Sequence, residues 1–507
     1  MSSTHKNKSP EEQPLKEETI KKKSFEQRNF IEKIWLIKSN ISVEPILAGL
    51  IIPLMLGRLA IQNLNLDKAC RVRLNYTDEI CDSLIERKRN LTFYEGEVQK
   101  VISNIEAWKS VVQTAIPTIL VILMGAWSDR TGNRKLCILL PIFGEFLVCI
   151  SNILSTFFFY EISLEITMLL EALFSALTGS WVLVYLGVFS YISDITDEDS
   201  RTFRVGLVNF CMTVGIPIGI ALSGILLKIW GYYGIFLLSG MIYLITFTYG
   251  FVYLKTKTKP GIDYSEKAKA LTFFDIFTLV KETVAVAFKK RDGNLRMKII
   301  LALTMVAIIY GPDHGEKIIA YLFVRYRLKW DALKYSIYST YSIVTHSAGV
   351  LFSISVFSKY WGFHDSMLCL ISITSKFVGS VYIAFVKTDL DMYMVPLIEI
   401  LNATSFTCLR SMLSKLVFPE EMGKMYSLFS LVDTLAALLF EPTYSAIYAR
   451  TIPIFTGAVY IFSATMTLPT IGILLWFFIQ HRRETKLKKQ EVIEGRIVYH
   501  ETEVNSQ

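Results

Sequence analysis

Charge is scarce in this chain. Asp, Glu, Lys and Arg make up 19% of its 507 residues against 52% for apolar residues. Two or three soluble domains of this total length would spread charge over their surfaces. Here the apolar residues run in long blocks instead. Histidine is scarcer still, with six scattered residues and no metal-ligand cluster. No Gly-rich nucleotide loop follows a strand pattern, and no spacing of Ser, His and Asp marks a triad. The chain is therefore not read as an enzyme, and neither a cofactor nor a metal is expected. Nor is a secretory leader expected. Residues 1–40 open MSSTHKNKSPEEQPLKEETIKKK and are expected to form a disordered cytosolic tail, leaving the first apolar block as the insertion signal.

What the chain has in abundance is membrane-length apolar sequence. Roughly 20 helical residues cross a bilayer core, and a block of about 18 or more is a candidate span. Twelve such blocks lie near 41–63, 106–127, 136–158, 164–192, 205–227, 234–254, 298–322, 335–357, 367–386, 392–413, 425–448 and 454–479. The expectation is an all-α membrane protein of twelve transmembrane helices in two six-helix halves. The halves are 41–254 and 298–480. A cytosolic linker, 255–297, joins them, and 481–507 forms a cytosolic C-terminal tail. Within the linker, LTFFDIFTLVKETVAVAFKK (271–290) places apolar residues three and four apart and ends on a basic cluster. It is expected to lie as an interfacial helix, with a plain linker as the alternative.

The net charge of +8 follows topology. Lys and Arg concentrate in the N-terminal tail, in loops 128–135 and 193–204, in 255–297 and after 480. Residues 64–105 are balanced. That is the positive-inside pattern with both termini cytosolic, and it leaves nucleic acid no role. The first outside loop holds the sequons at Asn75 and Asn90, both candidate glycosylation sites. It also holds Cys70 and Cys81. A disulfide between them suits an oxidising space, with two free thiols the alternative.

Three stretches carry mechanism. GAWSDRTGNRK (125–135) stands between the second and third blocks as a tight basic hairpin. Gly125 and Gly132 would allow close approach and a turn, Asp129 would meet free N–H groups or an Arg, and Arg130 and Arg134 would hold the inside orientation. The order G-x-x-x-D-R-x-G-x-R-K resembles the signature loop of the major facilitator superfamily, with Asn133 inserted before the basic pair. SKYWGFHDS (358–366) is a degraded echo in the second half. VEP (43–45), SDITDEDSRTFR (193–204) and LRSMLSKLV (409–417) then narrow the likeness. With the Trp-Ser-Asp-Arg hairpin they resemble solute carrier family 46, the proton-coupled folate transporter group and its relatives, over about residues 41–480.

The resemblance implies proton-driven movement of a small organic anion by alternating access. It carries over to Asp129 in the hairpin and to Arg410 in the substrate pathway. At the place of the folate branch's titrating Glu stands Asn209, at that of its span-4 acid Ser180, and at that of a loop cysteine Lys329. Folate specificity and the residues of coupling are therefore open.

The remaining mechanism falls to charges at membrane depth. Each costs at least about 2.5 kcal/mol to insert, so each implies a partner or a pathway. YGPDHGEK (310–317) concentrates four of them: Asp313, His314, Glu316 and Lys317. Histidine titrates near neutral pH, which makes His314 a candidate proton carrier, and Pro312 between Gly311 and Gly315 is expected to break the helix beside a cavity. Glu171, His346, Glu399 and Asp433 complete the candidate substrate and proton pathway. Glu145, Lys376 and Glu441 are further buried charges, Lys376 and Lys317 being able to snorkel or pair with an acid. A facilitative uniporter and a non-transporting receptor on the same fold stay open. The protein is expected to act as a monomer whose partners are an organic anion, protons and the lipid bilayer. Neither tail shows a sorting motif, and plasma membrane is favoured over lysosomal membrane.

Overall fold

The computed structural model describes residues 43–86, 91–196, 198–254, 294–417 and 422–504, with positions 281, 288 and 289. The N-terminal tail and most of the expected interfacial helix lie outside these residues. Among them are fourteen α-helices and no strand. The first group is α1 (Glu44–Lys68), α2 (Asp78–Glu86), α3 (Thr92–Thr131), α4 (Arg134–Phe157), α5 (Leu164–Leu177), α6 (Ser180–Ile195) and α7 (Glu198–Tyr253). The second is α8 (Leu295–Arg327), α9 (Ala332–Phe352), α10 (Asp365–Ala384), α11 (Asp389–Ile398), α12 (Thr404–Lys415), α13 (Met422–Thr451) and α14 (Ala458–Val504). Ten segments among the described residues are long and apolar enough to cross a membrane.

Those ten differ from the twelve apolar blocks for local reasons. A straight helix the length of α7 would run about 84 Å, far beyond a hydrocarbon core of about 30 Å. The backbone turns at Gly231 (φ 62°, ψ −165°), a conformation open to glycine alone. The tenth block is split into α11 and α12, each too short to cross alone, by turns over 399–403. The fourth block is interrupted at Gly179 (φ 88°), between α5 and α6, yet Leu164–Ile195 still counts as one of the ten. In the opposite direction, α3 begins well before its block. The 64–105 loop is therefore largely helical, because polar residues of its first turns find buried partners, described below.

Side-chain caps set several starts. Asn133, Ser163 and Asp331 accept the free N–H of Leu136, Ile166 and Lys334. Thr388 and Asp391 form a reciprocal capping box at α11, which satisfies two orphan donors at once. At the hairpin, α3 ends on Gly132 (φ 69°), the left-handed C-cap glycine tolerates without strain. Helix α1 packs on α7, α4 on α6 and α7, α8 on α13, and α10 on α12 and α14. Contacts between the two groups run mainly through α3 with α13 and α7 with α9.

Candidate functional site

Helices α8, α12 and α13 frame a cavity of about 370 Å³. Asp313, His314 and Lys317 reach it from α8, Arg410 from α12 and Asp433 from α13, with Tyr310 and Phe406 as aromatic wall. His314 Nε2 lies 3.0 Å from Asp433 Oδ1, and its Nδ1 lies 3.9 Å from Glu441 Oε1. An imidazolium here would face two carboxylates, one at hydrogen-bond distance and one at 3.9 Å. Lys317 pairs with Asp313 at 2.6 Å. Arg410 differs: among the described residues no carboxylate lies within ion-pair distance, and its guanidinium stands 5.1 Å from the Phe429 ring centroid. A cation with one face against a ring and the other toward a cavity has donors free to meet an anion.

The expected break at Pro312 does not occur. α8 runs unbroken from Leu295 to Arg327 with Pro312 inside. The glycines serve close packing instead. A Cβ on Gly311 would meet the Phe440 ring at 2.4 Å, and one on Gly315 the Tyr444 ring at 2.3 Å. Both rings belong to α13, so the two glycines let α13 approach α8 closely enough for Asp433 to reach His314.

The other pathway candidates divide. Glu316 and Glu399 flank Lys376, at 2.6 and 3.5 Å. Glu171 lies elsewhere, buried among α1, α3 and α5. There Lys109 Nζ is 3.0 Å away and the Asn65 amide donates to both its oxygens at 3.2 and 3.4 Å. Glu106 is 3.5 Å from the same lysine. Glu145 accepts from Ser175 at 2.7 Å. His346 is half-buried with Nε2 unpartnered, and Asn209 is exposed on α7. In the hairpin, Gly125 approaches Leu186, and Arg134 bonds Asp194 at 3.0 Å and Ser128 at 3.1 Å. The side chains of Asp129 and Arg130, and all of Asn90, lie outside the described residues. Asn75 is exposed in a turn, and Cys70 and Cys81 are joined by a disulfide with Cα atoms 6.0 Å apart.

Sequence reading missed the bonds that close the face carrying this disulfide. Glu95 at the start of α3 meets Arg325 at the end of α8 at 2.8 Å. Asn63 of α1 accepts from Tyr321 and Arg325 at 2.8 and 3.1 Å. Tyr448 of α13 donates to Gln99 at 2.9 Å, and Gln99 donates to Glu95 at 2.8 Å. Arg58 donates to the Lys317 carbonyl at 3.2 Å. Blocks drawn at 106–127 and 298–322 left Glu95 and Arg325 outside the membrane. The available signal was spacing: Glu95, Gln99 and Glu106 recur four and seven residues apart, one polar stripe along α3. Lys68, also outside its block, is fully buried and caps the Phe159 and Ile162 carbonyls at 3.0 and 2.7 Å.

Comparison with known proteins supplies the family. The Major Facilitator Superfamily profile matches residues 106–441, about two thirds of the chain. The chain belongs to the major facilitator superfamily. Its members' all-α, multi-spanning architecture is a secondary-transport fold rather than a catalytic one. Among curated relatives, a lysosomal proton-coupled steroid conjugate and bile acid symporter of Gallus gallus is 26% identical over 71% of this chain and 77% of its own. A probable peptidoglycan muropeptide transporter of Drosophila melanogaster is 21% identical over 89% and 88%. The proton-coupled folate transporter of Rattus norvegicus is 24% identical over 69% and 74%. Among solved structures, the human organic anion transporter MFSD10 aligns with a TM-score of 0.54 at 14% identity, covering 85% of this chain and 98% of that one. The POT family transporter PepTSo aligns with a TM-score of 0.56 at 10% identity, covering 87% of this chain and 98% of that one. At such identities these structures bear on the fold alone.

The relatives also correct the expected membrane. Six of them, from Gallus gallus to Homo sapiens, are named lysosomal. They favour lysosomal over plasma membrane, and an absent sorting motif was too weak a signal to decide between the two.

Proposed function

We propose that this chain moves a small organic anion across the lysosomal membrane by proton symport, as a divergent relative of solute carrier family 46. Twelve spans in two six-helix halves would rock about the central cavity. α7 then supplies two crossings at its Gly231 turn and α11 with α12 supply one. The observation that carries the reading is Arg410, a guanidinium without a carboxylate partner among the described residues, lining the same cavity as the His314–Asp433 pair. The first would take the substrate's anionic group and the second the coupled proton. With the disulfide face turned to the oxidising lumen, the Glu95–Arg325 network is the lumenal gate and the 125–135 hairpin belongs to the cytosolic one.

The substrate class follows the cavity rather than any one relative. Tyr310, Phe406 and Phe429 around Arg410 suit an anion with an apolar or planar body, such as a steroid conjugate. Asn209 and Ser180, in place of the folate branch's acids, weigh against folate. The test is uptake into proteoliposomes under an imposed pH gradient, comparing a steroid sulfate, a muropeptide and a folate. Accumulation that ends when the gradient is collapsed supports symport. Uptake that only equilibrates, indifferent to pH, replaces it with facilitated diffusion, and saturable binding without flux with a receptor.

A further inference from the structure

Three helices meet at Glu316 of α8, Lys376 of α10 and Glu399 at the end of α11, and neither Arg410 nor the His314–Asp433 pair uses them. We propose that this triad is a second proton-binding site, in which one proton is shared between the two glutamates around a single ammonium. Lys376 Nζ lies 2.6 Å from Glu316 and 3.5 Å from Glu399, and the three side chains are only 10%, 12% and 7% exposed. Among the described residues Lys376 is the one cation within ion-pair distance of either acid. Two carboxylates and one ammonium carry a net charge of −1, which a buried site holds only at high cost unless neutralised. One proton closes the balance.

A second acid–lysine–acid cluster, Glu106–Lys109–Glu171, has the same formal charge but differs in that its Glu106 side chain is 19% exposed and both oxygens of Glu171 are bonded. There the Asn65 amide donates to both oxygens of Glu171 beside Lys109. In the triad, Glu316 Oε1 is buried with no hydrogen-bond partner among the described residues. An acceptor without a donor, at the place where charge is in deficit, is where a carboxyl proton fits. The fold makes room for the pair. Glu399 follows the end of α11, and its side chain lies over Gly379, where a Cβ would meet its Cγ at 2.0 Å. The other titratable groups that interact electrostatically with the triad are Asp313 on α8, His346 and Tyr338 on α9, Tyr444 on α13 and Tyr460 on α14. Asp313 is already matched by Lys317, and the tyrosines offer neutral hydroxyls. Because the three charges sit on three helices, a motion of α8 against α10 that parts Glu316 from Lys376 would keep the shared proton on Glu316, and return of the ammonium would favour its release.

The assignment rests on the transporter reading, but its test needs no substrate. Full-length protein in lipid nanodiscs is stepped in pH, and infrared difference spectra record the protonated-carboxyl stretch in choline and in sodium buffer. Wild type should show a titrating band that loses one carboxyl equivalent in Glu399→Gln and gains one in Lys376→Met. Misfolding exposes carboxyls to water and cannot produce that gain. A band unchanged in both variants overturns the proposal. So does a wild-type band abolished by replacing choline with sodium, which would assign the deficit to a metal cation. If the same protein moves no anion in liposomes, the transport reading falls while the band still decides the triad.

Discussion

Glu95 and Arg325 meet at 2.8 Å across 230 residues of chain, each only 5–6% exposed. They join the first helix group to the second at the disulfide face. Removing one partner of a buried pair strands the other, at a cost of about 3–5 kcal/mol. Arg325→Met alone should therefore lower the Tm sharply, and Glu95→Gln/Arg325→Met should recover much of the loss. A double variant as unstable as the single would show that the pair is not what holds this face.

Arg410→Ala should weaken binding of an organic anion by tenfold to a hundredfold, the range of about 1.5–3 kcal/mol for a charge-assisted hydrogen bond. Arg410→Lys should recover part of that, since a lysine keeps the charge without the planar fork. Calorimetric titration with a steroid sulfate reads both. Equal affinity in all three proteins would move the anion site elsewhere.

Coupling should separate from binding at His314. In His314→Gln, counterflow at equal pH should persist within a few-fold while accumulation driven by a pH gradient is lost. Retention of gradient-driven accumulation would show that the imidazole does not carry the coupled proton.

The glycines of α8 make opposite predictions from one in α1. Gly315→Ala sets a methyl against the Tyr444 ring and should cost about 1–3 kcal/mol as overpacking. A Cβ on Gly57 meets nothing within 4 Å, so Gly57→Ala should be neutral or stabilise by about 0.5–1 kcal/mol through helix propensity. Thermal unfolding of the two variants in one detergent gives the comparison.

Ahead of the apolar run 392–413, partial burial of Asp389 is outweighed by donation from Lys334 and from Trp330 Nε1 at 2.6 Å, which holds its carboxyl below the usual range. A depressed carboxylate contributes stability above its unfolded pKa and loses it as pH falls through its folded one. Asp389→Asn should remove that acid-side dependence at less than about 1 kcal/mol, as for an exposed pair. Asp389→Ala leaves the buried Trp330 N–H unsatisfied and should cost about 1–3 kcal/mol. Melting curves across acid pH distinguish them.

Membrane class, the apolar blocks and the hairpin were legible in the sequence, because each is a local property of length, hydropathy or turn chemistry. So was the concentration of charge in 310–317. Its meaning was only half legible. Pro312 suggested a break, but a proline removes one N–H and α8 runs through it unbroken. Gly311 and Gly315 looked like breakers and are contact points, since a glycine's role depends on which ring faces it.

Partnership was the part no local pattern held. Lys376 and Glu399 were visible as buried charges, yet nothing in their spacing named Glu316 as the third member. Glu95 and Arg325 fell outside the apolar blocks and so looked solvated. The sequence by itself determined that this chain lies in a bilayer and which residues carry charge there, because hydropathy acts residue by residue. Only the tertiary structure decided which of those charges neutralise one another and which, like Arg410, remain open to a cavity, because ion pairing depends on distances of a few ångströms between helices far apart in the chain.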